Sequence, residues 1–393
     1  MNFEIDEKLS AKLDTINQFV QEKLFPIENE IIYSDYFEVE PRIKALRDEV
    51  KKMGLWAPHI PQSIGGSGEN LMQLGLMSEI LGQSPLGHLV FGCQAPDAGN
   101  IELLHMFGSD EQKERWMLPL ANGDIRSCFG MTEPATAGSN PTLLEATAEL
   151  DGDEWVINAH KWFTSAADGA AFCIAMVVTN PNAAKHERAS MIIVPTDTPG
   201  YKMVRNIQIM GEAGSGFYSH AEVKMENCRV PASNLIGEAG SGFKLAQERL
   251  GPGRIHHCMR WLGICRRAMN EMIDYVKIRK ITDKYALANM QAIQNWIAES
   301  QAEIESARTL VLQTAWKIEN IGFEKAKTDV SMIKYHTAGV LQKVVDRSIQ
   351  AHGGLGVTDD KILAYFFRHE RAARIYDGPD EVHKMVVARQ LLK

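Results

Sequence analysis

Only six cysteines occur in 393 residues, scattered as Cys93, Cys128, Cys173, Cys228, Cys258 and Cys265 with no Cys-x-x-Cys pair. That scarcity excludes a disulfide framework and a zinc-ligand spacing, and leaves free, mostly buried thiols as the expectation. Long apolar runs are missing too, so no transmembrane helix is expected. A basic tail or face is lacking, and the formal net charge of -8 runs against a nucleic-acid partner. The first residues, Met1-Asn2-Phe3-Glu4-Ile5-Asp6-Glu7, are acidic where a secretory signal would be basic. The expected location is therefore cytoplasmic, or the mitochondrial matrix in a eukaryotic source, with no clear targeting segment. A dinucleotide fingerprint is also absent. Gly211-Glu212-Ala213-Gly214-Ser215-Gly216-Phe217 recurs as Gly237-Glu238-Ala239-Gly240-Ser241-Gly242-Phe243, but neither copy is read as a strand-to-helix phosphate loop; both are expected to be turns.

What is present is an ordinary globular composition, 45% hydrophobic and 23% charged, at a length that suits two or three domains. Apolar positions at helical spacing run from about Ser10 to Tyr33, from Pro41 to Met53, from Leu71 to Leu81 and from Asp97 to Phe107. Ser109-Asp110-Glu111-Gln112 has the spacing of a capping box. From Thr147 to Val223 the period changes to two, with turn formers at Asp151-Gly152-Asp153, Asn180-Pro181-Asn182 and Thr198-Pro199-Gly200, as in an antiparallel β domain. Beyond Gly242 the helical period returns in four long stretches. The expected fold is α+β and multidomain: an N-terminal helical domain at residues 1–127, a middle antiparallel β domain at 128–240 and a C-terminal helical bundle at 241–393.

Near the C-terminus, Ala373-Arg374-Ile375-Tyr376-Asp377-Gly378-Pro379-Asp380-Glu381-Val382-His383 sets a carboxylate at a Gly-Pro break between two helical segments. A general base has to be held within reach of its proton before its pKa matters, and Asp377 has that placement. Aspartate before a helix is more often an N-cap, a duty better suited to Asp380. Three other stretches stand out. Phe129-Gly130-Met131-Thr132-Glu133-Pro134, followed by Ala137-Gly138-Ser139-Asn140, is a small-residue loop. His160-Lys161-Trp162-Phe163-Thr164-Ser165 puts aromatics beside a hydroxyl on a strand end. Gln350-Ala351-His352-Gly353-Gly354-Leu355-Gly356 is a glycine-rich bend whose amides could approach a pyrophosphate. Singly each has a plainer reading: a loop, a core tryptophan, a helix C-cap at Gly353.

Together and in this order, these motifs resemble the acyl-CoA dehydrogenase family of flavoproteins across nearly the whole chain. The matching features are the Thr-Glu-Pro loop, the Trp162-Phe163-Thr164 strand, Val230-Pro231 followed by Gly240-Ser241-Gly242-Phe243, the Gly353-Gly354 bend and the acidic residue before Gly378. Within the family the chain resembles the branch with Asp-Gly-Pro-Asp-Glu-Val-His at the base. The resemblance implies an FAD-dependent α,β-dehydrogenation of an acyl-CoA thioester to the trans-2-enoyl-CoA in fatty acid metabolism. Asp377 would take the α-proton and hydride would pass to flavin N5. Thr132, Trp162 and Thr164 would meet the flavin, with Pro379 and Glu381 also at the cofactor. Arg279, Gln350, Gly353 and Gly354 would reach the adenosine and pyrophosphate of a neighbouring subunit's FAD. Ser139 would lie between FAD and the pantetheine arm, and Arg254, Tyr376 and Gly378 would meet the substrate. No metal is implied. The implied partners are the thioester, an electron-transferring flavoprotein as acceptor, and further copies of the chain in a homodimer or homotetramer.

The chain departs from the usual family pattern by having aspartate where most relatives have glutamate, a longer loop around Ala135-Thr136, and Thr282-Asp283 after Arg279. Gly253, where some relatives place their base, has no side chain. Two other readings follow: a nitroalkane oxidase or acyl-CoA oxidase of the same superfamily, and a non-catalytic DNA-binding member. The latter's basic extension is missing from the sequence.

Overall fold

A computed structural model of the chain describes residues 5–393, apart from the side chains of residues 250–252; the acidic start Met1-Asn2-Phe3-Glu4 lies outside them. Before the sheet come α1 (Glu7–Phe19), α2 (Glu28–Tyr33), α3 (Tyr36–Lys52), α4 (Leu71–Leu81), α5 (Gly87–Val90), α6 (Asp97–Phe107), α7 (Asp110–Gln112) and α8 (Leu118–Asn122). The strands are β1 (Ser127–Gly130), β2 (Thr147–Asp151), β3 (Glu154–Ser165), β4 (Phe172–Val178), β5 (Ala189–Pro195), β6 (Tyr201–Asn206), β7 (His220–Pro231) and β8 (Leu235–Ile236). After them run α9 (Gly242–Ile278), α10 (Gln291–Ile321), α11 (Phe323–His352), α12 (Ile362–Glu370) and α13 (Asp380–Leu391). The succession of helices, sheet and helices is the one expected from the sequence.

Local chemistry sets the boundaries. Ser109 accepts from the Gln112 N–H while the Gln112 side chain returns to the Ser109 N–H, completing the box read from the sequence. Asn70 and Gln73 do the same for α4. At α3 the expectation of a start at Pro41 is corrected. Asp35 caps the helix by accepting from the Phe37 N–H, so the helix begins at Tyr36 and Pro41 lies inside it. The single helix expected over about 10–33 is divided by a π-helical turn at Val20–Leu24. The second glycine repeat is also corrected: it leads from the two-residue β8 into the start of α9, so it is a strand-to-helix connection.

The chain divides into two compact units. One takes the chain up to Glu30, Asn70–His88 and Gly251–Lys393; the other takes Ile31–Glu69 and Leu89–Leu250. The second unit holds the whole sheet, in the order β6-β7-β3-β2-β4-β5-β8 with β1 beside β4. Most pairings are antiparallel, but β1 with β4 and the short contact of β2 with β4 are parallel. Sequence reading passed over β1, β6 and β8. β1 is four residues beside a glycine-containing loop, β8 has only two residues, and β6 is largely exposed and shows no alternation. β4 and β5 are instead buried along almost their whole length, which requires continuous apolar runs on both faces.

A charge lies inside this sheet. The Lys161 side chain on β3 is fully buried; its ammonium donates to the Met131 carbonyl at 3.1 Å, to Glu133 Oε1 at 2.7 Å and to the Met176 carbonyl at 2.7 Å. Glu133 in turn accepts from the Glu145 and Ala146 N–H groups at 2.7 and 3.0 Å. Burial pushes the Lys161 ammonium below its ordinary value, while Glu133 pulls the other way. The pair ties the loop after β1 to β3.

In the other unit α11 is the central element. It packs against α10, α12 and α13 and buries Val330, Ile333, Leu341, Val344 and Val345. Ser348 on α11 donates to the Ala268 carbonyl on α9 at 2.8 Å. Among the described residues, no helix is long and apolar enough to cross a membrane.

Removing one member of a buried ion pair strands the other. Lys161→Met should therefore lower unfolding stability by about 3–5 kcal/mol, read as a fall in the urea midpoint. An unchanged midpoint would show that the pair is not structural.

Candidate active site

α12 ends at Glu370 and a 3-10 turn continues through Arg371–Arg374, so the helical segment expected before the Gly-Pro break is an α-helix followed by a tighter turn. The chain then enters Asp377 at φ +53° and Gly378 at φ +94°. Aspartate is one of the few non-glycine residues that tolerates the left-handed region. Pro379 follows as the N-cap of α13 and makes no side-chain cap. Asp380 is therefore not the cap expected from the sequence. It is the first residue of α13, and its buried carboxylate takes Arg374 Nε at 2.6 Å.

Three helices hold the turn. From α13, His383 Nε2 lies 3.0 Å from the Asp377 carbonyl; from α9, Arg254 Nη2 donates to the same oxygen at 3.4 Å; from α11, Lys334 Nζ donates to the Gly378 carbonyl at 2.6 Å. Burial pushes His383 down to about 4, so at neutral pH the ring is uncharged and carries on Nε2 the proton that the carbonyl accepts. Burial also lowers Lys334 and Arg254 from their ordinary values. The Asp377 carboxylate itself has His257 Nε2 at 3.2 Å from Oδ2.

Behind the turn stands a polar wall. Arg260 pairs with both oxygens of Glu370, and its Nη2 also donates to the Tyr376 hydroxyl at 2.9 Å. Trp261 Nε1 bonds Glu370 Oε2 at 3.1 Å and the Tyr376 oxygen at 3.0 Å. Burial alone would raise the Glu370 carboxyl, but the Arg260 charge outweighs it and the pKa is lowered. Burial pushes the Tyr376 phenol up, which keeps it neutral.

The sheet unit gathers the other expected residues on β3 and the neighbouring loop. The Trp162 N–H donates to the Thr132 carbonyl at 3.0 Å. Between Lys161 and Thr164 the pairing with β7 shifts register, and Phe163 takes φ +49°. A bulge of this kind re-aims side chains. Thr164 is fully buried, yet its hydroxyl has no protein partner, and the same holds for Trp162 Nε1. A buried polar group without a partner costs about 1–3 kcal/mol, so both fit a cofactor rich in ring nitrogens and carbonyls. Ser139 is exposed. In the helical unit, Arg279, Gln350, Gly353 and Gly354 line one open cleft of about 480 Å³ with Tyr275, Trp296 and His352. Arg254, Tyr376, Asp377 and Gly378 do not line it; they form the turn cluster. Pro379 caps α13 and Glu381 lies exposed in its first turn.

Sequence reading missed His257, Lys334, His383 and the Arg260–Glu370 pair. Two signals were available. Lys334 is a lone cation among the buried positions of α11, and His257 lies three residues beyond Arg254, on the same face of α9.

Comparison with known proteins gives the family. The chain matches the acyl-CoA dehydrogenase N-terminal domain over residues 6–124, the middle domain over 128–228 and the C-terminal domain over 240–392. It therefore belongs to the acyl-CoA dehydrogenase family, and is an oxidoreductase of CH–CH groups with FAD as cofactor. Among its relatives, "Probable acyl-CoA dehydrogenase FadE2" of Mycobacterium tuberculosis is 41% identical over 99% of this chain and 96% of its own length. Mouse acyl-CoA dehydrogenase family member 10 is 40% identical over 96% of this chain, which spans only 36% of that protein. A solved Mycobacterium abscessus structure assigned as an acyl-CoA dehydrogenase has 36% identity and a TM-score of 0.95, with 99% of each chain covered. Butyryl-CoA dehydrogenase from Megasphaera elsdenii has 26% identity and a TM-score of 0.84, with 100% of each chain covered.

The turn gives a direct prediction. A Cβ on Gly378 would fall 2.8 Å from His383 Nε2 at a φ only glycine adopts easily. Gly378→Ala should therefore cost about 1–3 kcal/mol and displace Asp377. Calorimetry that finds parental stability would contradict the clamp.

Proposed function

We propose that this enzyme is an FAD-dependent acyl-CoA dehydrogenase in which Asp377 removes the α-proton of the thioester. The observation that carries the reading is a carboxylate on a left-handed turn whose carbonyls are held from α9, α11 and α13. A base fixed in this way needs little reorganisation before proton transfer. When bound, FAD supplies the hydride acceptor for the β-carbon. Thr132, Trp162 and Thr164 hold the flavin, with Pro379 and Glu381 also assigned to the cofactor. Arg279, Gln350, Gly353 and Gly354 take the adenosine and pyrophosphate end of FAD held by another copy of the chain. Ser139, Arg254, Tyr376 and Gly378 orient the thioester, and the Asp377 N–H donates to its carbonyl oxygen as negative charge develops there.

Electrons would leave to an electron-transferring flavoprotein, and the chain would work as a homodimer or homotetramer. The six cysteines are all free, five of them buried, which suits a reducing compartment such as the cytoplasm. The three sequence stretches expected as domains, 1–127, 128–240 and 241–393, would then supply substrate pocket, flavin platform and base. The aspartate base also favours one second reading, a nitroalkane or acyl-CoA oxidase, which oxygen consumption with a nitroalkane or an acyl-CoA would reveal.

Asp377→Asn keeps the shape of the side chain and removes its basicity. Anaerobic flavin bleaching by a good thioester should fall by at least about 10²-fold while FAD stays bound. Bleaching at the parental rate would remove Asp377 from the mechanism.

If Arg279 and the Gly353-Gly354 bend bind FAD of another subunit, cofactor retention and association are linked. Diluting the protein should release FAD and monomers together. Monomers that keep their flavin would contradict the assignment of Arg279.

A further inference from the structure

His352 is the last residue of α11 and lines the cleft that also holds Arg279, Gln350, Gly353 and Gly354. The residue is only 3% exposed, and its ring is held in two ways. It stacks on Tyr275 with 4.3 Å between ring centroids and 18° between planes, and its Nδ1 lies 2.7 Å from the Ser348 carbonyl. A carbonyl only accepts, so Nδ1 carries a proton. Burial lowers the pKa of the ring; the Ser348 carbonyl raises it, Lys361 lowers it and Glu271 raises it, and the net lies below the ordinary value. At neutral pH the imidazole is therefore uncharged, and Nε2 is a bare lone pair. That nitrogen is buried and has no protein partner. An acceptor left dry and unpaired is costly. A phosphate or carbonyl oxygen cannot relieve it, because those groups only accept; whatever satisfies Nε2 has to bring an N–H or an O–H.

Gly354, two residues on, points the same way. A Cβ there would meet nothing within 4 Å, and its backbone is outside the left-handed region. Neither a close neighbour nor backbone strain calls for glycine at this position, whereas a ligand approaching the cleft wall would. We infer that His352 is a nucleoside-binding residue whose Nε2 accepts a hydrogen bond from an amino or hydroxyl group of the adenosine in this cleft. This rests on the reading of the cleft as the adenosine and pyrophosphate end of FAD and deepens it by dividing the work. Arg279 and Lys280, the cations of the cleft, suit the pyrophosphate, and Trp296 offers an aromatic face to the base. His352 supplies a neutral acceptor of fixed tautomer, which selects the nucleoside by its donor. Adenosine has two kinds of donor, the exocyclic amine and the ribose hydroxyls, and either puts the same chemistry at Nε2. Hypoxanthine carries a carbonyl oxygen where adenine has its amine, so it would set lone pair against lone pair.

The experiment titrates the full chain, stripped of flavin, with FAD, with its inosine analogue and with an analogue lacking the free ribose hydroxyls, and follows the quenching of flavin fluorescence. The parent should bind at least one analogue about 10-fold more weakly than FAD, and which one it is names the donor. His352→Asn retains an N–H near the Nδ1 position but is too short to present an acceptor where Nε2 lies. It should bind FAD about 10-fold more weakly and no longer discriminate against that analogue. His352→Gln, whose amide oxygen takes the place of Nε2, should keep both affinity and discrimination. A parent that binds all three dinucleotides equally overturns the inference without any variant, and so does discrimination that persists undiminished in His352→Asn. Arg279→Gln separates this inference from the reading beneath it. If Arg279→Gln weakens FAD while the His352 variants match the parent, the cleft keeps its ligand and His352 loses its role. If Arg279→Gln and the His352 variants all hold FAD as tightly as the parent, the reading of the cleft falls, and His352 with it.

Discussion

The carbonyls of Asp377 and Gly378 are the point on which the candidate site depends. A non-glycine residue in the left-handed region costs about 1–3 kcal/mol and persists only where its surroundings impose it. Here a neutral histidine from α13, an arginine from α9 and a lysine from α11 reach the two carbonyls. A turn that would otherwise flex thus becomes a junction of helices. Bringing Arg254 and Lys334 into that environment has a desolvation cost, visible in the lowering of both by burial. That cost is understandable if the position of the carboxylate is what the site needs.

The sheet unit follows the same logic with one buried ion pair. Lys161 has all three ammonium protons engaged and Glu133 accepts two backbone N–H groups besides, so the charge is satisfied as a buried charge has to be. By bridging the loop after β1, β3 and β4, this pair sets Thr132 against Trp162. The same strand then leaves the Thr164 hydroxyl and the Trp162 indole N–H buried and without protein partners. Two buried polar atoms without protein partners are what the flavin contact proposed for this strand would satisfy.

The periodicity of the sequence made most of this fold legible. α4 and α6 were readable from apolar positions at helical spacing, and the cap at Ser109 from the spacing of its capping box. α3 was misread because Pro41 looks like a helix start when Asp35 had already capped one. β6 and β8 escaped because an exposed strand and a two-residue strand leave no alternation to detect. At the candidate site, motif order singled out the Asp377 turn and the Thr132 and Trp162 stretches. The clamp was invisible, since Lys334, His383 and His257 converge only through the packing of helices far apart in sequence. The assignment of Asp380 as the cap failed for a local reason: Pro379 takes the cap position, and Arg374, six residues back, is the partner of the Asp380 carboxylate.

The central claim is that Asp377 takes a proton from the α-carbon. It is tested most directly with a thioester deuterated at the α-carbon and having no hydrogen on the β-carbon, so that proton transfer is read without hydride loss. Mass spectrometry of the recovered thioester should show deuterium washed into solvent by the parent enzyme and retained with FAD-loaded Asp377→Asn. Washout at the parental rate by the asparagine variant would contradict the account.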